Sequence, residues 1–176
     1  GFRYTTSMLG SVTGEGGDVI IADDPHNPTF IHSPAKRDAV INWFETTLLS
    51  RLDDKSSGLV AVVMQRLHPQ DLSAHLINKN WPALVMPAQF SEEVSYEIGS
   101  YKHVAQMGDC LHSQREDEQT LAQIRQDLGL ENFSAQYLQK PITSSSQVIK
   151  ADWWQITPKA AWPRSFQQIT VSIDTA

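Results

Sequence analysis

The sequence predicts an α/β fold, a parallel sheet flanked by helices, on three observations. Two apolar runs rich in β-branched residues, Val19-Ile20-Ile21-Ala22 and Leu59-Val60-Ala61-Val62-Val63-Met64, are each the length of one buried strand. Between them lies a stretch with apolar residues at helical spacing. A shorter helical pattern then leads to a third apolar run, so strands and helices alternate through residue 87, the order of β-α-β units. A right-handed crossover is the expectation for strands joined in this way.

Residues 2–9 alternate loosely and read as a strand. The glycine-rich stretch from Gly10 to Gly17 has no Gly-Lys-Ser/Thr ending and precedes a strand rather than a helix, so it reads as a flexible turn and not a phosphate loop. The run over 19–22 suits a strand buried on both faces, and Pro25 forbids its continuation as a central one. Ser33 and Pro34 supply an N-cap and a first-turn proline for a helix over about 34–52, with Val40, Trp43, Phe44, Thr47, Leu48 and Leu52 on one stripe. Asp53 to Gly58 is a polar turn. Asp71 caps a short helix carrying Leu72, Leu76 and Ile77, and Trp81 to Pro87 returns as a third strand through Leu84, Val85 and Met86. Residues 88–110 form a loop or a short hairpin around Tyr96 and Tyr101. Ser113-Gln114-Arg115-Glu116 has the form of a capping box, with an entry that can slip by a few residues. Leu121, Ile124 and Leu128 mark one face of the helix that follows; Gly129 ends it, and 133–138 adds another turn. Residues 140–147 are the best linker candidate, and Gln168 to Ile173 is a strand.

The 176 residues suffice for one domain, or one domain with a small appendage. A hydrophobic share of 40% supports a core and excludes a broadly disordered chain. No apolar run approaches the ~18–20 residues of a membrane span, and Gly1 to Ser7 hold no apolar leader segment. The single cysteine, Cys110, excludes an internal disulfide and a Cys-rich zinc site, and fits a reducing cytoplasm. A net charge of −6 argues against a surface given over to nucleic acid, although metal ions can carry phosphate contacts in an acidic enzyme. The chain opens in an apparent strand and stops as another reaches Asp174, which predicts a segment of a longer protein.

Chemistry concentrates in Asp18-Val19-Ile20-Ile21-Ala22-Asp23-Asp24-Pro25-His26-Asn27. Ligands of open α/β sheets bind beyond the carboxyl ends of the strands, so Asp23 and Asp24 are placed to meet a cation and a phosphate. That is the pattern of a Walker B segment: one carboxylate on magnesium, the next orienting or deprotonating an attacking water. Taken alone, the residues also describe an acidic turn, and that plainer reading has the better claim. Gln65 and Arg66, read alone, are a polar strand end. His26, His68 and His75 lack metal-ligand spacing and read as loop or helix-surface residues. Cys110 lies near His112 but has no third orienting group, as a catalytic thiol requires. Trp153, Trp154 and Trp162 suit packing at a domain seam better than base stacking. Arg115 to Glu118 is a solvated first helical turn.

Taken in order, these stretches resemble the large terminase subunit of tailed bacteriophages. The resemblance runs from Gly10, Thr13 and Gly14 through Gly17-Asp18 to Asn27, then Trp43-Phe44 with Ser50-Arg51-Leu52. It continues in Met64-Gln65-Arg66-Leu67-His68-Pro69-Gln70-Asp71-Leu72-Ser73, Pro87-Ala88, Leu128-Gly129, Phe133 to Pro141 and Ile149-Lys150 with Trp153, and closes on Ser172-Ile173-Asp174-Thr175-Ala176. It implies a P-loop ATPase of the ASCE type lacking its N-terminal part (1–110), a connecting region (111–165) and the first strand of an RNase H-like nuclease (166–176). By matching positions, Asp23 assists magnesium binding, Asp24 is the catalytic carboxylate, and Gln65 and Arg66 belong to the coupling motif. Asp174 is the first metal-binding acid of the nuclease. Most ASCE enzymes carry glutamate where Asp24 stands, and Ala74 replaces an expected glycine.

The implied cofactors are ATP with Mg2+ for the motor and Mg2+ or Mn2+ for the nuclease. The implied partners are double-stranded DNA, the portal protein, the small terminase subunit and further copies in a ring, with no membrane, in the bacterial cytoplasm and transiently on the procapsid. No motif selects an arginine finger among Arg37, Arg51 and Arg66. Two rival readings remain: a non-catalytic remnant or interaction module that keeps the fold, and a different P-loop motor such as a helicase.

Overall fold

The computed structural model describes residues 1–12 and 14–142. The chain divides into two units, Gly1–Ser146 and Gln147–Ala176, and every described residue belongs to the first. Strand β1 (Val19–Asp23) pairs in parallel with β2 (Leu59–Val63), from Val19 beside Leu59 to Asp23 beside Val63. Parallel neighbours need a crossover, and α1 (Pro34–Trp43) supplies it. Pro34 occupies the first turn, behind an extended Ser33 whose side chain makes no capping bond. Beyond Trp43 the chain winds on as a π turn (Phe44–Leu48) and a 3-10 turn (Leu49–Arg51). The expected helix is therefore present in length but changes its winding in its second half.

Phe44, Leu48, Leu72, Leu76 and Ala22 form the core, with Ile20, Val60, Val62, Met64 and Trp81 packed against them. Phe44 has no exposed surface and meets Trp81 edge-on, ring centroids 5.9 Å apart. We expect Phe44→Ala to cost ~3–5 kcal/mol, the usual toll of emptying an aromatic site in a packed core, read as a lower urea midpoint at unchanged slope.

The core covers one face of the parallel pair. On the other, Val19, Ile21, Leu59 and Val63 are all more than half exposed. Burial of β1 on both faces is thus corrected: an apolar run permits a second cover without supplying one. Two further expected strands are absent. Residues 2–7 form no regular element and 8–9 make a turn, and Trp81 to Pro87 joins no strand, with Leu84, Val85 and Met86 exposed. Pro82 and Pro87 each remove a ladder donor there.

Helix α2 (Leu72–Asn78) starts at Asp71, whose side chain accepts from the Ala74 N–H; Leu72 and Leu76 are buried and Ile77 is exposed. Strands β3 (Val94–Ile98) and β4 (Tyr101–Ala105) pair antiparallel in a hairpin closed by Gly99 and Ser100. Gly99 sits at φ 60°, as a two-residue hairpin turn demands. Helix α3 (Glu118–Gln136) begins at Asp117, which accepts from Thr120 N–H, so entry slips past the Ser113 box. Gly129, at φ 76° and ψ 162°, breaks it into two segments, in a conformation open essentially to glycine alone.

The described part of the 111–165 region folds back onto what precedes it. The Ala88 N–H donates to the Tyr137 carbonyl at 2.7 Å and the Arg66 N–H to Gln139 Oε1 at 3.1 Å. The linker from residue 143, the tryptophans at 153, 154 and 162, the 168–173 strand and Asp174 lie outside the described residues.

Candidate functional site

Asp23 ends β1 and Asp24 is the next residue. The Asp24 N–H donates to the Val63 carbonyl at 2.9 Å, which ties the acidic loop to the last residue of β2. From Val63 the chain passes through Met64 to Gln65 and Arg66. The fold therefore gathers the two acids and the Gln65-Arg66 pair at the carboxyl ends of adjacent parallel strands, where α/β sheets hold ligands. Asp23, Asp24 and Gln65 are exposed, and neither carboxylate joins an ion pair among the described residues. Asp24 lies at φ 42°, the left-handed region that aspartate tolerates better than most residues.

Arg66 is held differently. Its Nε donates to both oxygens of Asp71 at 3.0 Å, and the Asp71 carboxylate has no exposed surface. Asp71 also accepts from the N–H groups of Leu67 at 3.0 Å, His68 at 3.3 Å and Ala74 at 2.9 Å. One carboxylate thus joins the segment after β2 to the first turn of α2, and its charge is met by a guanidinium and three backbone donors.

Sequence reasoning missed the layer beneath. His26 and His68 are loop residues, as expected, yet with Arg37 and Asp71 they are buried polar side chains. His26 Nε2 accepts the Leu72 N–H at 2.9 Å, and His68 Nδ1 accepts the Gln70 N–H at 3.0 Å. Each bond needs a ring nitrogen without its proton. The Arg37 guanidinium donates to the Ile31 carbonyl at 2.7 Å and to Gln70 Oε1 at 3.0 Å, and its buried Nε meets no partner among the described residues. The only local signal for this layer was Asp71 as a cap, three residues after His68.

Burial lowers the pKa of His26, helped by Arg37 and His68 and opposed by Asp71. Burial likewise lowers that of His68, helped by Arg37 and His32 and opposed by Asp71 and Glu131. A histidine whose folded pKa is depressed binds fewer protons in the native state than when unfolded. Its contribution to stability is complete above the unfolded value of 6.5 and is lost as pH falls through the folded one. Urea midpoints should therefore decline progressively once pH drops below that value. His26→Gln, which keeps an acceptor without titrating, should flatten part of the decline.

Of the three arginines, Arg37 and Arg66 are engaged inside the fold, and Arg51 donates to Ser50 Oγ at 3.0 and 3.2 Å. A groove of about 430 Å3 opens between α1 and α2, lined by Arg37, Asp38, Gln70 and His75 among others, and none of Asp23, Asp24, Gln65 or Arg66 borders it. Glu45 bridges His75 and Lys79 at its side, and these bonds lower the Glu45 pKa. Among the described residues no three His, Cys, Asp or Glu side chains converge on a metal position, and no helix is long and apolar enough to cross a membrane. No protein family matches the chain, and no curated protein matches it.

Proposed function

We propose that the chain is a segment of the large terminase subunit of a tailed bacteriophage, the ATP-hydrolysing motor that drives double-stranded DNA into a capsid and then cuts it. One observation carries this reading: Asp23-Asp24 and Gln65-Arg66 follow two hydrogen-bonded parallel strands and share one end of the sheet. An ASCE ATPase needs that juxtaposition, because a carboxylate after one strand and an amide after the next must meet the same phosphate. The resemblance in residue order, from Gly10 to Ala176, supports it independently.

The two acids suit the task. Mg2+ beside nucleotide phosphates keeps several waters and takes one or two carboxylates, so Asp23 is sufficient as a protein ligand without a dedicated cage. When bound, Mg2+ neutralises charge on the β- and γ-phosphates. Asp24, exposed and in no ion pair among the described residues, accepts a hydrogen bond from the attacking water and orients it. Gln65 offers an amide to the γ-phosphate, and Arg66, clamped on Asp71, carries displacement of this loop to α2.

The 176 residues hold no Gly-Lys-Ser/Thr loop, so turnover belongs to a longer polypeptide that supplies one. In that protein Asp174 serves as one ligand of a two-metal nuclease using Mg2+ or Mn2+. Double-stranded DNA, the portal protein, the small terminase subunit and sister copies in a ring are its partners, in the host cytoplasm. The test assays the complete gene product for Mg2+-dependent ATP turnover and DNA cleavage. Asp174→Ala should reduce cleavage to background and spare turnover; loss of both would count against the assignment. Mg2+-dependent hydrolysis by the purified 176-residue chain would also contradict it.

A further inference from the structure

We propose that His26 is a positioning residue that locks the acidic loop to the first turn of α2, so that Asp23-Asp24 and Gln65-Arg66 move as one body. The inference rests on the ATPase reading for its functional half and on geometry alone for the lock. Asp24 turns in the left-handed region at φ 42°, a conformation that persists in a non-glycine residue where the surroundings hold it on both sides. One hold is the Asp24 N–H on the Val63 carbonyl at 2.9 Å. The other lies two residues on, where His26, only 5% exposed, accepts the Leu72 N–H at 2.9 Å across 46 positions of sequence.

Leu72 is the first residue of α2, and its N–H is one of the donors a helix start leaves without an intrahelical partner. Its neighbour Asp71 holds Arg66 together with the Leu67 and His68 N–H groups. The two loops thus grip adjacent residues of a single helix start: the acidic loop through His26 on Leu72, the Gln65-Arg66 segment through Asp71. Displacement of either loop reaches the other through one turn of α2, without a direct bond between Asp24 and Gln65.

Two readouts test this. On the 176-residue chain, amide hydrogen exchange at Leu72 should rise at least tenfold in His26→Leu, which fills the space without an acceptor, and should return to within threefold of wild type in His26→Gln. If His26→Leu does not fold, His26→Asn, with its acceptor one bond short, carries the same expectation. Unchanged Leu72 exchange in either variant overturns the lock, whatever the enzyme does. In the complete gene product, the variant lacking the bond should lower kcat more than tenfold with KM within twofold, and His26→Gln should restore it. Faster Leu72 exchange with unaltered kcat would show His26 to be structural only and overturn the positioning role. A wild-type product without turnover, its Leu72 amide still protected, would remove the ATPase reading and that role with it.

Discussion

Asp71→Ala is expected to cost ~3 kcal/mol, because Asp71 is wholly buried and its removal leaves a partly buried guanidinium and three backbone N–H groups without their acceptor. Here the orphaned groups are Arg66 Nε and the N–H groups of Leu67, His68 and Ala74. Domains typically hold 5–15 kcal/mol in total, so the loss is a large share of the margin. Asp117 supplies an internal control. It caps α3 as Asp71 caps α2, accepting the N–H of the residue three positions on, but it is exposed and pairs with no arginine among the described residues. Asp117→Ala should therefore cost clearly less, the loss of an ordinary exposed N-cap. Urea unfolding of the two variants separates the terms. Equal costs would show that Asp71 acts merely as a cap and that the Arg66 pair contributes nothing net.

The contrast between those two aspartates marks what local sequence carries. Both are capping residues ahead of helical spacing, and Asp71 was legible as such. Nothing in the neighbouring residues says that Arg66 closes over one and water over the other. His26 is the sharper case: its partner, the Leu72 N–H, is 46 positions away, and the spacing of histidines encodes only metal-like patterns. Apolar runs likewise report what can be buried. Val19 and Ile21 satisfy the pattern of a doubly covered strand while standing 56% and 66% exposed, because cover is a property of other segments. The β1-α1-β2 order and the Pro34 helix start were legible because backbone period and proline geometry decide them locally. Gly129 was read as a stop and is one, although the chain resumes a helix directly beyond it.

Asp24→Asn in the complete gene product is expected to reduce ATP turnover by ~10²–10⁴-fold, the range for losing a positioned acid-base group, while nucleotide affinity stays close to wild type. The substitution is a clean one for a structural reason. Asp24 sits at φ 42°, and asparagine, like aspartate, tolerates the left-handed region, so the backbone turn and its N–H bond to Val63 should survive. Alanine would add strain at the same position and confuse fold with chemistry. Asp23→Asn should behave differently: a weakened magnesium ligand raises the Mg2+ concentration needed for half-maximal turnover, and excess Mg2+ recovers part of the rate. Asp24→Asn should show no such recovery, because what it lacks is the negative charge beside the water. Turnover near wild type in Asp24→Asn, at an unchanged unfolding midpoint, would remove Asp24 from the catalytic position and leave the acidic pair as a turn.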